Sequence, residues 1–273
     1  MVVGWCGIED VTRMERLGRN QGRYQGECIA DIYQILREIE GLASGTGWER
    51  DSLGLPGGRP LFAFHRHVSI PKKRIYISAG IHGDEPAGPL AVLRLFQDKQ
   101  WPSDLGVWLI PCLNPQGYVR NCRENEDGVD LNRDYRSRRT ALVRAHVDWL
   151  KRQPRFDLTL LLHEDWEANG FYLYELNPSL LPSISATIIR QVQEVCPIDG
   201  SPSIEGRPAK NGIICANPDL MKRQDWPEAF YLVHEKSALS YTLEAPSDFP
   251  LTIRVNALAA GVRAVFETLK VEG

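Results

Sequence analysis

Two residue types that bind zinc stand three positions apart in the stretch Ser78-Ala79-Gly80-Ile81-His82-Gly83-Asp84-Glu85-Pro86-Ala87-Gly88. An imidazole and a carboxylate so spaced in a turn can close on one metal ion, and zinc accepts both at roughly 2.0–2.2 Å. An isolated His-x-x-Glu reads equally well as a solvated loop, so the motif needs company. His163 directly follows Leu158-Thr159-Leu160-Leu161-Leu162, and Glu244 follows Leu239-Ser240-Tyr241-Thr242-Leu243 in the same manner. Two His and one carboxylate make a three-ligand set with a fourth position left for water, the pattern of catalytic rather than structural zinc. Such zinc brings the pKa of its water to about 7, and a second carboxylate can take the proton. A helical di-iron centre is the rival metal site. It needs Glu-x-x-His pairs on bundle helices, whereas this pair sits in a strand-to-helix turn.

The elements that must present these groups are legible as alternating strands and helices. Arg74 to Ala79, Gly106 to Pro115 and Leu158 to Leu162 are apolar runs expected to be buried strands, with Leu239 to Leu243 a fourth. Carboxyl ends of such strands are where open α/β sheets keep their sites. Alternation predicts further strands over Leu61 to Val68 and Phe171 to Leu176. Helical spacing marks residues 26–42 (stopped at Gly41), Pro89 to Phe96, Ser137 to Gln153, Leu180 to Val195 and Leu251 to Leu269. Ala43 to Pro60, Gln116 to Asp134 and Pro197 to Pro218 read as loops. The pattern predicts a single α/β domain, with a mixed, mostly parallel twisted sheet and helices on both faces. His65 and His67 share one strand face with no acidic or Cys partner near in sequence and read as surface residues. His146, inside a helix, reads as exposed or packing.

Composition narrows the partners. The 273 residues are 43% hydrophobic and 25% charged, with a formal net charge of -3. That is a globular composition, without the basic surface a nucleic acid would need. No run approaches the roughly 20 apolar residues of a membrane span. Six cysteines form no C-x-x-C pair, and the start lacks a basic region followed by an apolar one. Reduced thiols in a cytoplasm are the expectation.

The segment Arg123-Glu124-Asn125-Glu126-Asp127-Gly128-Val129-Asp130-Leu131-Asn132-Arg133, taken alone, reads as a salt-bridged surface loop. In order along the chain come Gly80-x-His82-Gly83-x-Glu85, Asn114-Pro115-x-Gly117, Arg123-x-Asn125-x-x-Gly128-Val129-Asp130-Leu131-Asn132-Arg133, a strand ending in His163, and Thr242-x-Glu244. That series resembles the zinc metallocarboxypeptidase family. The family includes carboxypeptidase A-like enzymes, murein-peptide-trimming relatives and the succinylglutamate desuccinylase/aspartoacylase branch. The motifs span residues 80 to 246; the first 60 residues lie outside them.

The resemblance implies a zinc carboxypeptidase-like fold and one zinc ion held by His82, Glu85 and His163. It implies that Glu244 is the general base, and that Arg123 polarises the scissile carbonyl. Asn132 and Arg133 match the pair that grips a terminal carboxylate, a task suited to guanidinium's planar fork. Asp130 matches the acid that takes the other ring N–H of a zinc His. The implied activity is carboxypeptidase hydrolysis of short peptides. The alternative is deacylation of N-acyl amino acids, and either substrate carries a free carboxylate. That branch usually adds a β-rich domain after the base, whereas one helix and a short tail follow Glu244 here, which favours the peptidase. A catalytically inactive binding protein is a third reading, although every expected position is filled. No motif anchors the substrate-side Tyr of the digestive enzymes, for which Tyr231 and Tyr241 are candidates. A short interval from Glu85 to His163 implies trimmed loops and an open cleft.

Overall fold

The apolar run Leu105–Ile110 is buried along its whole length, and so is Leu158–Asp165, including its polar end His163, Glu164 and Asp165. Such strands need cover on both faces of their sheet. A computed structural model describes residues 14–19, 30–54, 61–66, 68–216 and 222–271. The chain begins with α1 (Ile32–Ala43), β1 (Glu49–Ser52), β2 (Phe62–Arg66), β3 (Lys73–Ala79), α2 (Ala87–Asp98) and β4 (Leu105–Ile110). It continues through α3 (Pro115–Arg120), a 3-10 turn at Leu131–Arg133, α4 (Ala141–Arg152), β5 (Leu158–Asp165), β6 (Tyr172–Leu176) and α5 (Ser185–Val192). The last elements are β7 (Ser203–Ile204), β8 (Arg207–Pro208), β9 (Ile213–Ala216), α6 (Glu228–Glu235), β10 (Ser240–Pro246) and α7 (Leu251–Val271).

Among the described residues eight strands form one sheet in the order β1-β2-β4-β3-β5-β10-β6-β9. Its centre, β4-β3-β5-β10, is parallel, and β2 and β6 join it antiparallel on either side. Period-2 alternation sorts the core into two layers. Ile75, Ile77, Leu160 and Leu162 face one cluster together with α1, α2, α5 and α7. Tyr76 and Leu161 face the other with α4 and α6. The architecture is the mixed α/β sandwich expected.

Several boundaries differ from the sequence reading, each for a local reason. The first helix starts at Ile32, where the Asp31 side chain accepts the Tyr33 N–H, and it runs through Gly41 to end before Gly45, whose φ is +70°. Residues 26–29 of the expected helix lie outside the described residues, as does His67. The loop 43–60 contains β1, an edge strand too short and polar to signal itself. The polar segment after β4 hides α3, capped by Asn114, and the 3-10 turn capped by Asp130. The helix expected from Leu180 begins only at Ser185. The loop expected over 197–218 contains the hairpin β7–β8 and the edge strand β9, and α6 is a further helix beyond those expected.

Candidate metal centre and active site

The strand-to-helix turn after β3 depends on two glycines. Gly80 takes φ +63°, and a Cβ on Gly83 would meet the Gly117 backbone carbon at 1.9 Å. This turn therefore lies against the start of α3. Glu85, at the α2 start, is buried between two imidazoles. His82 Nδ1 lies 2.5 Å from Glu85 Oε1, and His163 Nδ1 lies 3.0 Å from Glu85 Oε2. The Glu164 N–H donates to Glu85 Oε2 at 3.2 Å and fixes the carboxylate's orientation.

Charge in this triad is strongly perturbed. Burial alone would raise the Glu85 carboxyl, but the two imidazoles outweigh it and hold the group well below the usual carboxylate range. Burial also opposes charge on His82, yet Glu85 prevails and its pKa rises. On His163 burial wins and the pKa falls.

The three residues fit a metal ion. One donor atom from each lies within 4.8 Å of the others, and all three side chains are buried. His82 Nε2 is buried without a well-formed hydrogen bond, and Asp130 Oδ1 stands 3.4 Å from it at ion-pair distance. A carboxylate behind the non-coordinating ring nitrogen is the arrangement that orients metal-binding His. Two His and a carboxylate suit zinc.

Asp130 organises the rest of the site. Its Oδ1 accepts the Asn132 N–H at 2.8 Å, and its Oδ2 accepts Arg123 Nε at 3.0 Å. Arg123 Nη1 is thereby aimed at the triad, 3.3 Å from His82 Nδ1 and 3.7 Å from Glu85 Oε1. Burial raises the Asp130 carboxyl less than His82 and Arg123 lower it, so it stays ionised. Arg133 donates to the Asn132 carbonyl at 2.8 Å and pairs with Asp225 at 3.6 Å.

Glu244 enters from β10, and the parallel register places it beside His163. Burial, then Glu85, Asp165 and Glu205, push its carboxyl well above the usual range, with Arg123 opposing. His82, Glu85, Arg123, Asn132, Arg133, His163 and Glu244 all line one cavity of about 270 Å³. Asp130 stands behind its wall. The sequence-predicted residues therefore converge on one site.

The cavity also has walls that the sequence left unassigned. Tyr174, Glu205, Arg207 and Arg223 line it, as do Asp84, Asp165 and the 42% exposed Trp166. Glu205 sits at φ +49° and Gly206 at φ +69°; a hairpin turn with two positive φ angles usually carries Asn-Gly or Asp-Gly, so this Glu-Gly pair gave only its glycine as a signal. Tyr231 and Tyr241 are buried in the core, and the Tyr241 hydroxyl accepts the Ile184 N–H; Tyr174 is the cavity's tyrosine. Glu164 is structural, accepting the Ala87 N–H and pairing with the buried Arg254. His65 has the acidic neighbours the sequence did not suggest, Glu49 and Asp51 across the β1–β2 pair at 3.4 and 3.5 Å. His146 is fully buried, between Tyr76 and Tyr135.

Residues 71–176 match the model of the succinylglutamate desuccinylase/aspartoacylase catalytic domain. No curated protein matches the chain. A solved Shewanella amazonensis protein, provisionally named a metallopeptidase, superposes with a TM-score of 0.76 at 24% identity, over 92% of this chain and 99% of that one. A metallo-carboxypeptidase from Burkholderia cenocepacia gives 0.64 at 19% identity, over 88% of this chain and 70% of that one. Carboxypeptidase A from Helicoverpa armigera gives 0.62 at 17%, over 89% and 75%. The chain thus shares its fold with these three structures, and residues 71–176 in its centre match the catalytic-domain model.

Proposed function

We propose that this protein is a zinc-dependent carboxypeptidase that removes the last residue from short peptides. The observation that carries the reading is the sharing of one cavity by four parts: the His82–Glu85–His163 triad, Glu244, Arg123, and the Asn132–Arg133 pair. One zinc ion held by the triad would supply Lewis acidity to the water and the carbonyl. Arg133 and the Asn132 amide bind the substrate's terminal carboxylate and set the distance to the bond that breaks. Arg123, braced by Asp130, donates to the carbonyl oxygen as negative charge develops there. Glu244 takes a proton from the attacking water and passes it to the departing amine. A cation in the triad would counter the raised Glu244 pKa and leave the base ionised. The free thiols of Cys112, Cys122, Cys196 and Cys215 support a reducing, cytoplasmic setting.

The match over residues 71–176 supports a second reading, deacylation of an N-acyl amino acid, for which the same groups would serve. Mass spectrometry of zinc-loaded protein with mixed short peptides and N-acyl amino acids separates the two, with Glu244→Gln as control. Loss of single carboxyl-terminal residues is the expected outcome. Release of amino acids only from the acylated pool would transfer the assignment to the deacylase. No change in either pool, with zinc bound stoichiometrically, would refute both.

A further inference from the structure

Beneath the cavity a buried carboxylate plays no part in the chemistry above. Glu228, the first residue of α6, is fully buried. Its Oε1 accepts the Tyr76 hydroxyl and its Oε2 the Ser78 hydroxyl, both at 2.9 Å. Tyr76 and Ser78 belong to β3, the strand whose end leads to His82. Tyr76 also meets His146 Nε2 at 2.8 Å, and His146 Nδ1 meets the Tyr135 hydroxyl at 2.7 Å. One proton assignment satisfies the chain: Tyr135 donates to Nδ1, Nε2–H donates to Tyr76, and Tyr76 donates to Glu228.

The other side of Glu228 faces the substrate grip. Its backbone N–H donates to Asn132 Oδ1 at 2.8 Å. Two more links follow within three residues. The Tyr135 N–H donates to the Trp226 carbonyl at 3.2 Å, and Arg133 pairs with Asp225. The segment bearing Asn132 and Arg133 is thus tied to residues 225–228, and Glu228 ties these to the central strand.

We propose that Glu228 is a positioning residue that sets the height of the Asn132–Arg133 grip above the metal triad. The Asn132 amide group faces the substrate because its oxygen is held from behind, and that hold is only as firm as the seat of α6. This inference rests on the reading of Asn132 and Arg133 as the carboxylate grip. Buried polar networks of this kind fix geometry when every member is satisfied.

The test compares zinc-loaded wild type, Glu228→Gln and Tyr76→Phe by hydrogen-exchange mass spectrometry and by steady-state kinetics on the peptide that the substrate screen identifies. Gln keeps the volume but points an N–H₂ at hydroxyl donors; Phe removes one donor and little bulk. Amides of residues 131–135 should exchange about tenfold faster in both variants, with residues 82–85 unchanged, as expected of a local loosening. KM should rise roughly five- to tenfold with kcat within about twofold, the signature of weakened ground-state binding. Unchanged exchange at 131–135, a uniform rise across the molecule, or a fall in kcat at constant KM would overturn the proposal. If the wild type turns over no substrate, the proposed activity fails, while the exchange pattern still decides whether Glu228 holds this segment.

Discussion

Asp130 serves three groups with two oxygens, and that economy explains how Arg123 can act on a reacting carbonyl. A guanidinium free to swing would lose side-chain entropy each time it met a substrate. Here Nε is already engaged at 3.0 Å and Nη1 projects toward the triad. Arg123→Ala is therefore expected to lower kcat by roughly 10²–10³, the scale of one oxyanion donor. Arg123→Lys should recover little, because an ammonium cannot bind Asp130 and the substrate through one planar fork. Steady-state kinetics on the three proteins checks both statements, and an effect confined to KM would make Arg123 a ground-state binding group.

The helices that flank the site are fastened by charges buried where solvent cannot reach. Glu164 and Arg254 are both fully enclosed, linking the end of β5 to α7 while Glu164 also accepts the Ala87 N–H at the start of α2. Removing one partner of such a pair strands the other. Arg254→Ala should cost about 3–5 kcal/mol in urea unfolding, whereas the exposed pair Lys151–Asp148 should contribute under about 1 kcal/mol. The contrast between legible and hidden elements has a physical basis. Strands β3, β4 and β5 are continuous apolar runs, so their ends, and with them His82 and His163, could be located from spacing. Helix α6 could not. Its eight residues begin after Pro227 and have apolar residues around most of their circumference, giving little one-sided periodicity. Glu228 looked like any helical glutamate, since its partners Tyr76 and Ser78 lie about 150 positions away. Strand β9 and the β7–β8 hairpin are too short to carry alternation, which left the wall around Tyr174 and Arg207 unread.

For the molecule as a whole, the buried Glu228 links stability to pH. Burial raises its carboxyl from 4.5 to about 7, outweighing the Tyr76 and Ser78 hydroxyls that favour the anion. Burial lowers the neighbouring His146 from 6.5 to about 3, so between these values the unfolded chain binds a proton that the folded chain does not, and the His146 contribution rises with pH, opposing that of Glu228. Between pH 4.5 and 7 the folded chain keeps a Glu228 proton that the unfolded chain releases, and the contribution of this carboxyl falls as pH rises, by up to ~3 kcal/mol. On going from pH 5 to pH 8 in urea unfolding, the stability of Glu228→Gln should change more positively than that of wild type, by up to ~3 kcal/mol; equal signed changes would remove Glu228 as the source. One feature of the sheet reaches further. His163 and Glu244 stand opposite one another on adjacent parallel strands, so their spacing is set by the roughly 4.8 Å strand repeat rather than by a loop. Partial opening of the surface leaves that separation intact. Heating below the melting transition should accordingly weaken the loop-borne Asn132–Arg133 grip before it disturbs this pair, so KM should rise while kcat holds until the fold is lost. Steady-state kinetics at stepped temperatures beside far-UV ellipticity would check this, and a fall in kcat ahead of the loss of ellipticity would refute it.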